Sequence, residues 1–171
     1  MPIQTIGTTL NIGYPGSFSR NADCIIANRV IKETDTTGPA FGDPVILNAD
    51  NTYSTFGASN TPDQFVGVAV REVKQATDYI DQGKVVYRPG EPTDAILRGA
   101  VCVTVNNGTP TAGGTVYIRI TANASIPAGV VGGFEAAADG ANTVALTNAV
   151  FTTGNMDSNH VAEITILSRK A

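Results

Sequence analysis

The sequence predicts an all-β domain: a single β-barrel or jelly-roll-like sandwich of about ten short strands, preceded by an extended N-terminal arm. Three observations predict it. Apolar and polar residues alternate over 101–105 and 115–121, the two-residue period of a sheet with distinct faces. Short apolar runs are closed by clusters of Gly, Pro, Asn and Asp, as in strands joined by turns. No stretch has the spacing of a long amphipathic helix. A sandwich or closed barrel accommodates such strands, and closure removes the edges on which a Val-rich, charge-poor chain would aggregate.

Residues 1–20 are uncharged until Arg20 and are broken by Gly7, Gly13, Pro15 and Gly16. They also carry Ile3, Ile6, Leu10, Ile12, Tyr14 and Phe18, too many apolar side chains for a free tail. This reads as an arm packed on a neighbouring subunit, or equally as a first strand of the domain's own sheet. The predicted division is therefore 1–20 arm and 21–171 domain.

Residues 24–31 read as a strand, and residues 34–38 as a polar turn. Val45-Ile46-Leu47, closed by Asn48-Ala49-Asp50-Asn51, is a buried strand whose return lies over 52–56. In the strand over 65–73, Val66, Val68 and Val70 share one face. Gly67 and Ala69 leave the other flat enough for a second backbone to approach. Residues 74–82 read as a loop and residues 84–87 as a strand. Arg88-Pro89-Gly90-Glu91 suits a type II turn.

The clearest strand covers 95–105, with Val101, Val103 and Val105 on one face, and Asn106-Asn107-Gly108 turns it. Over 115–121, Val116, Ile118 and Ile120 face in while Tyr117, Arg119 and Thr121 face out. Gly132-Gly133 marks a bend within 130–137, and Asp139-Gly140-Ala141-Asn142 is another turn. Strands over 143–146, 149–152 and 161–167 complete the chain. The last sets Ala162, Ile164 and Ile166 on one face.

Composition excludes several function classes. Charged residues are 15% of the 171, against about 25% in an ordinary soluble domain, while hydrophobic residues are 42%. That balance is not disorder, and no run of about 18 apolar residues could cross a membrane as a helix. The net charge is −4 and the basic residues are scattered, so the clustered cations that neutralise phosphates are missing and no nucleic-acid partner is expected. The N-terminus lacks the basic and apolar regions of a secretory signal. Cys24 and Cys102 read as small buried thiols rather than a disulfide framework.

The chemistry-bearing residues are few. Of the 57 residues over 99–155, only Arg119, Glu135 and Asp139 carry charge. No phosphate-binding glycine loop is present. The single histidine, His160, cannot build a histidine metal cluster, and Ser158 and Glu163 beside it do not make a relay; it reads as a turn residue before the last strand. Asp78 with Asp81 and Glu91 with Asp94 are carboxylate pairs without the aromatic platform of a sugar cleft, since the chain has no Trp. The oxygens of Asn48-Ala49-Asp50-Asn51 suit calcium, but no calcium-loop spacing follows, so a hairpin turn is preferred. No catalytic residue, metal or cofactor is expected, and the chain does not read as an enzyme.

Several segments in order resemble a known family: Phe41-Gly42-Asp43-Pro44-Val45, the block from Phe65-Val66-Gly67-Val68 to Arg71-Glu72-Val73-Lys74, Tyr87-Arg88-Pro89-Gly90-Glu91-Pro92, Arg98-Gly99-Ala100-Val101, Gly114-Thr115-Val116-Tyr117-Ile118-Arg119 and Ala162-Glu163-Ile164. Together they resemble the structural cement (capsid decoration, Gp24-like) proteins of tailed bacteriophages. The resemblance implies a β-rich homo-oligomer, dimer or trimer, made in the host bacterial cytoplasm. It also implies a place on the outer capsid surface of the virion, with the major capsid protein as partner and no membrane contact. It carries no catalytic motif.

For the protein-binding surface the sequence offers Ile6, Leu10, Ile12, Tyr14 and Phe18 of the arm, then the loop over 74–82. A second reading is a carbohydrate- or host-surface-binding β module of a phage tail or baseplate. Its contacts would be Tyr53, Tyr79, Tyr87 and Tyr117, whose rings and hydroxyls suit sugars, together with the Asn/Asp loops.

Overall fold

A computed structural model describes residues 11–71 and 85–170. They form nine strands: β1 (Phe18–Val30), β2 (Pro44–Leu47), β3 (Tyr53–Thr55), β4 (Phe65–Ala69), β5 (Pro92–Thr104), β6 (Thr115–Arg119), β7 (Phe134–Glu135), β8 (Thr143–Met156) and β9 (Val161–Ile166). The helical content described is two single 3₁₀ turns, Pro62–Gln64 and Gly140–Asn142. All-β architecture in a curled antiparallel sheet is as the sequence predicts.

The sheet runs β3-β2-β4-β5-β9-β8-β6-β7, with β1 added on β5. The long strand β5 organises it. In its first half Ile96 lies opposite Ile26 of β1 and Val68 of β4. In its second half Val101 lies opposite Phe18 of β1 and Ile164 of β9. Two isolated parallel bridges then bring the sheet's ends back. Ile31 meets Tyr53, so β1, β5, β4, β2 and β3 form one circuit. Val105 meets Phe134, so β5, β9, β8, β6 and β7 form another. Both end strands of the sheet path are capped in this way, which blunts the exposed-edge hazard.

The pleat sorts side chains into two cores. Val101, Val103 and Val105, Val116 and Ile118, and Ala162, Ile164 and Ile166 all enter the larger one, as their alternation predicts. Phe65 meets Phe134 edge to face there, with ring centroids 6.3 Å apart. The smaller core holds Ile31, Val45, Tyr53, Val66, Ala69, Tyr87, Ala95 and Leu97. β2 and β4 are buried on both faces: Val45 serves the smaller core and Ile46 the larger. A Cβ on Gly67 would lie 2.3 Å from the Ile96 carbonyl oxygen, so the flat face predicted at this strand is where β5's backbone comes closest.

Several sequence expectations are corrected. Val66 does not share a face with Val68 and Val70. A register shift between Val45 and Ile46, opposite Gly67 and Phe65, turns Val66 into the smaller core. The two strands read over 143–146 and 149–152 are one, β8, which keeps its ladder through an irregularity. Of the strand read over 84–87, the described part contributes one bridge, Val86 to Ala40. β1 begins at Phe18, so the end of the segment read as arm is already sheet. Arg119, placed facing solvent by alternation, is fully buried, for the electrostatic reason given below.

The turns match their residues. Glu91 donates its N–H to the Arg88 carbonyl across Gly90 at φ 81°, and Gly132 at φ 84° makes the bend before β7. His160 closes the turn into β9, its N–H on the Asp157 carbonyl at 3.0 Å. Cys24 and Cys102 form no disulfide.

Candidate protein-binding surface

The arm can be followed from residue 11. Ile6 and Leu10 lie outside the described residues, as do Tyr79, the Asp78–Asp81 pair and the loop over 74–82. Ile12 is half-buried and donates its backbone N–H to Asp157 Oδ2 at 3.1 Å. Gly13 packs so tightly that a Cβ there would lie 2.9 Å from Cys102 Sγ. Gly16 donates to the Cys102 carbonyl at 2.8 Å, and Arg71 donates to the Gly16 carbonyl at 2.9 Å. Phe18 packs against the larger core of its own subunit. Tyr14, 72% exposed, is the arm residue whose side chain projects. The three described arm residues thus divide: Phe18 inward, Ile12 along the surface, Tyr14 outward.

Asp157 anchors the start of this segment. Burial pushes its carboxyl pKa up, but the N–H donors of Val161, Ile12 and Asn159 outweigh burial and leave it below the ordinary carboxylate range. The carboxylate that turns the chain into β9 therefore also pins residue 12.

The three charges of the 99–155 stretch converge. Arg119 Nε and Nη2 reach the two oxygens of Glu135, the second at 2.9 Å. Nη1 donates to Asp139 Oδ2 at 2.7 Å and to the Thr121 carbonyl at 3.1 Å. The Arg119 and Glu135 side chains are both 0% exposed. Asn123 adds its amide to Asp139 at 3.0 Å and Asn107 adds its own to Glu135 at 3.3 Å. The Asn123 amide and then the Arg119 guanidinium hold the Asp139 carboxyl below its usual range. Full pairing is what lets these charges leave water, and why alternation misplaces Arg119. The cluster clamps the base of the irregular segment 121–133. Nothing in a strand's periodicity marks it; the isolation of these three charges in the sequence is the signal that could have.

These groups are taken up by structural contacts. The guanidinium is occupied by Glu135, Asp139 and the Thr121 carbonyl, and burial pushes the Cys102 thiol away from the reactive thiolate form. Glu91 accepts from the Arg88 N–H and Asp94 from Asn28, so that carboxylate pair serves local structure. Among the described residues no cluster of three His, Cys, Asp or Glu is placed to hold a metal ion. Of the four tyrosines of the sugar-binding reading, Tyr53 and Tyr87 are each 1% exposed and belong to the smaller core. Tyr87 is further tied by its hydroxyl to the Val70 carbonyl at 2.6 Å. These two are packing residues, a correction to that reading.

The geometry is that of a sheet curled on itself with one buried ionic cluster, and comparison with known proteins places the chain among phage capsid proteins. The family model described as XM1 gp53 minor capsid protein matches residues 3–166. The chain belongs to that family. The fold agrees: a chain from the solved structure titled "The capsid of Myoviridae Phage XM1" superposes with a TM-score of 0.71 at 18% identity, covering 99% of this chain and 100% of that one. No curated protein matches the sequence. The capsid-associated family expected from sequence is thereby met. Membership makes the chain a virion structural protein of the capsid.

Proposed function

We propose that this protein decorates the outer surface of a tailed-phage capsid and cements it through contacts with the major capsid protein. Family membership over residues 3–166 is the observation that carries the reading. Physical features support it. A shell protein must hold many copies together against packed DNA, and multivalency lets each contact be modest. It must also persist outside the cell, where lifetime is governed by an unfolding rate. Ladders between residues as distant as Phe18 and Val101, and two circuits sharing β5, make a topology that opens only with loss of many non-local contacts.

The arm, with Ile6, Leu10, Ile12 and Tyr14, is the proposed contact with the lattice or a neighbouring copy, while Phe18 anchors its end in the subunit's own core. Tyr14 supports this by its exposure two residues from Ile12, whose N–H is held by Asp157. The test mixes purified protein with parent capsids lacking it. Saturable binding and a higher temperature of DNA release are expected, and deletion of residues 1–13 should weaken both. Absence of binding would overturn the cementing role. A deletion that binds normally would remove the arm from it.

A further inference from the structure

A recess of about 220 Å³ opens between the turn into β2 and the bend before β7. Asp43 lines it, half-buried, with Oδ2 accepting the Ala40 N–H at 2.9 Å. Among the described residues no base pairs with this carboxylate: Lys32 goes to Asp50, Lys170 to Asp63, and Arg119 to Glu135 and Asp139. Burial pushes the Asp43 pKa up against the Ala40 N–H, so the charge is carried at a cost to stability. An unpaired acid kept at such a cost beside an opening calls for a counter-charge from outside the chain.

The rest of the recess supplies acceptors and an apolar rim. Thr55 lines it too, and its Oγ1 is buried without a hydrogen-bond partner. Asn106 adds its side-chain amide, so close to Gly133 that a Cβ there would lie 2.1 Å from Nδ2; glycine is what leaves room for it. Val130 and Val131, 58% and 39% exposed, complete the lining. Among the described residues they are the one adjacent pair of strongly exposed large apolar side chains. Backbone bonds set the walls: Gly133 donates to the Val130 carbonyl at 2.8 Å, Gly132 to the Arg119 carbonyl at 2.8 Å, and Asn106 to the Phe134 carbonyl at 2.9 Å. A recess shaped before it is filled has less conformational freedom to lose on binding.

We infer that this recess receives a lysine side chain of a partner protein, its ammonium on Asp43 and Thr55 and its methylene stem along Val130 and Val131. Lysine fits better than arginine. Oδ2 is already occupied by the Ala40 N–H, so the carboxylate does not offer two bare oxygens to a forked guanidinium. A compact ammonium with three rotatable donors can instead use the other carboxylate oxygen, the Thr55 hydroxyl and the Asn106 carbonyl together. A stem that is apolar up to its charged end matches valines at the rim and an acid within. Calcium fits worse: it takes about six to eight oxygens, and a single carboxylate lines the recess. The inference goes beyond cementing and does not rest on it, since any partner that presents a lysine would satisfy the recess.

An NMR titration of the isotope-labelled full chain at low salt and pH 7 tests the inference, with N-acetyl-lysine methylamide as the probe. Saturable shifts are expected in the Asn106 side-chain amide and in the backbone amides from Val130 to Gly133. Asp43→Asn keeps the shape of the recess and should weaken the probe about tenfold, the loss of one charge-assisted bond. The norleucine derivative, which has the stem without the charge, and the arginine derivative should each bind more weakly than lysine. No saturable shift at these amides, an arginine or norleucine derivative that binds as tightly, or Asp43→Asn binding unchanged overturns the inference. So does a recess that responds to calcium chloride and not to the lysine derivative. Capsid binding is read separately. Protein that takes the probe but does not bind capsids rejects cementing alone, whereas protein that binds capsids but shows no shift at the recess rejects this inference alone.

Discussion

Removing Glu135 tests whether the Arg119 cluster holds the second half of the sheet together. Both side chains are 0% exposed, so Glu135→Ala leaves a guanidinium buried with two of its charge-assisted bonds gone and only Asp139 and the Thr121 carbonyl remaining. Breaking a buried ion pair from one side costs about 3–5 kcal/mol, because the orphaned charge stays out of water. For a chain of this length each kcal/mol moves the midpoint by about 2–4 °C, so a fall of roughly 6–20 °C is expected in a two-state melt. Replacing both partners by apolar side chains, Arg119→Met with Glu135→Leu, should recover much of the loss, since the pair is worth little more than well-packed hydrocarbon. The double-mutant cycle in urea should show coupling of about 2 kcal/mol or more. Hydrogen exchange locates the effect: Gly132 donates to the Arg119 carbonyl and Arg119 to the Gly133 carbonyl, so those amides should lose protection first. A Glu135→Ala cost under about 1 kcal/mol, or an additive cycle, refutes the assignment of the cluster as a clamp.

Three further outcomes follow from single contacts. Gly67→Ala should destabilise by about 1–3 kcal/mol or more, because its Cβ would meet the Ile96 backbone oxygen at 2.3 Å and backbone cannot step aside; urea midpoints decide it. Asp157 has a lowered pKa, so the stability it confers is present above the ordinary carboxylate value of 3.8 and is lost as pH falls through the folded value. The Ile12 amide should therefore exchange faster on acidification below about pH 4, and already at neutral pH in Asp157→Ala. Asp43 has the opposite sign: burial raises its pKa against the Ala40 N–H it accepts, so its charge opposes folding at neutral pH. Asp43→Asn, which keeps an acceptor oxygen, should raise the melting temperature at pH 7 and lose that advantage in acid.

Much of the fold was legible because period and turn chemistry are local. Val101, Val103 and Val105 alternate into one core with no help from the rest of the chain, and Gly90 and Gly132 mark turns by their own backbone freedom. What alternation cannot see is a change of register. Val66 lies one residue from where strict period two puts it, because the shift occurs in the pairing with β2, 20 residues earlier in sequence. It also cannot see a charge pairing across elements. Arg119 occupies an outward position in its strand, and only the return of the chain at Glu135 and Asp139 makes that position interior. The site was less legible for the same reason. Tyr53 and Tyr87 look like a surface set until the Ile31–Tyr53 bridge and the Tyr87 hydroxyl bond close the smaller core over them.

The shortage of charge in residues 99–155 is best understood together with where the three charges went. A solvent-facing sheet normally keeps itself soluble with scattered Lys and Glu, each worth little to stability. Here the outward face spends none, and Arg119, Glu135 and Asp139 are instead gathered under segment 121–133. Buried ionic groups are a poor source of stability compared with hydrocarbon, so their placement calls for another cause. Segment 121–133 has three large apolar side chains, Ile126, Val130 and Val131, and both valines are exposed, so hydrophobic burial does little to hold it. Directional charge-assisted bonds hold the base of the segment while Val130 and Val131 stay exposed beside it. Under the proposed cementing role, burying Arg119 and Glu135 beside the half-buried Asp139 keeps the surface over this stretch apolar and neutral for contact with other subunits of a shell.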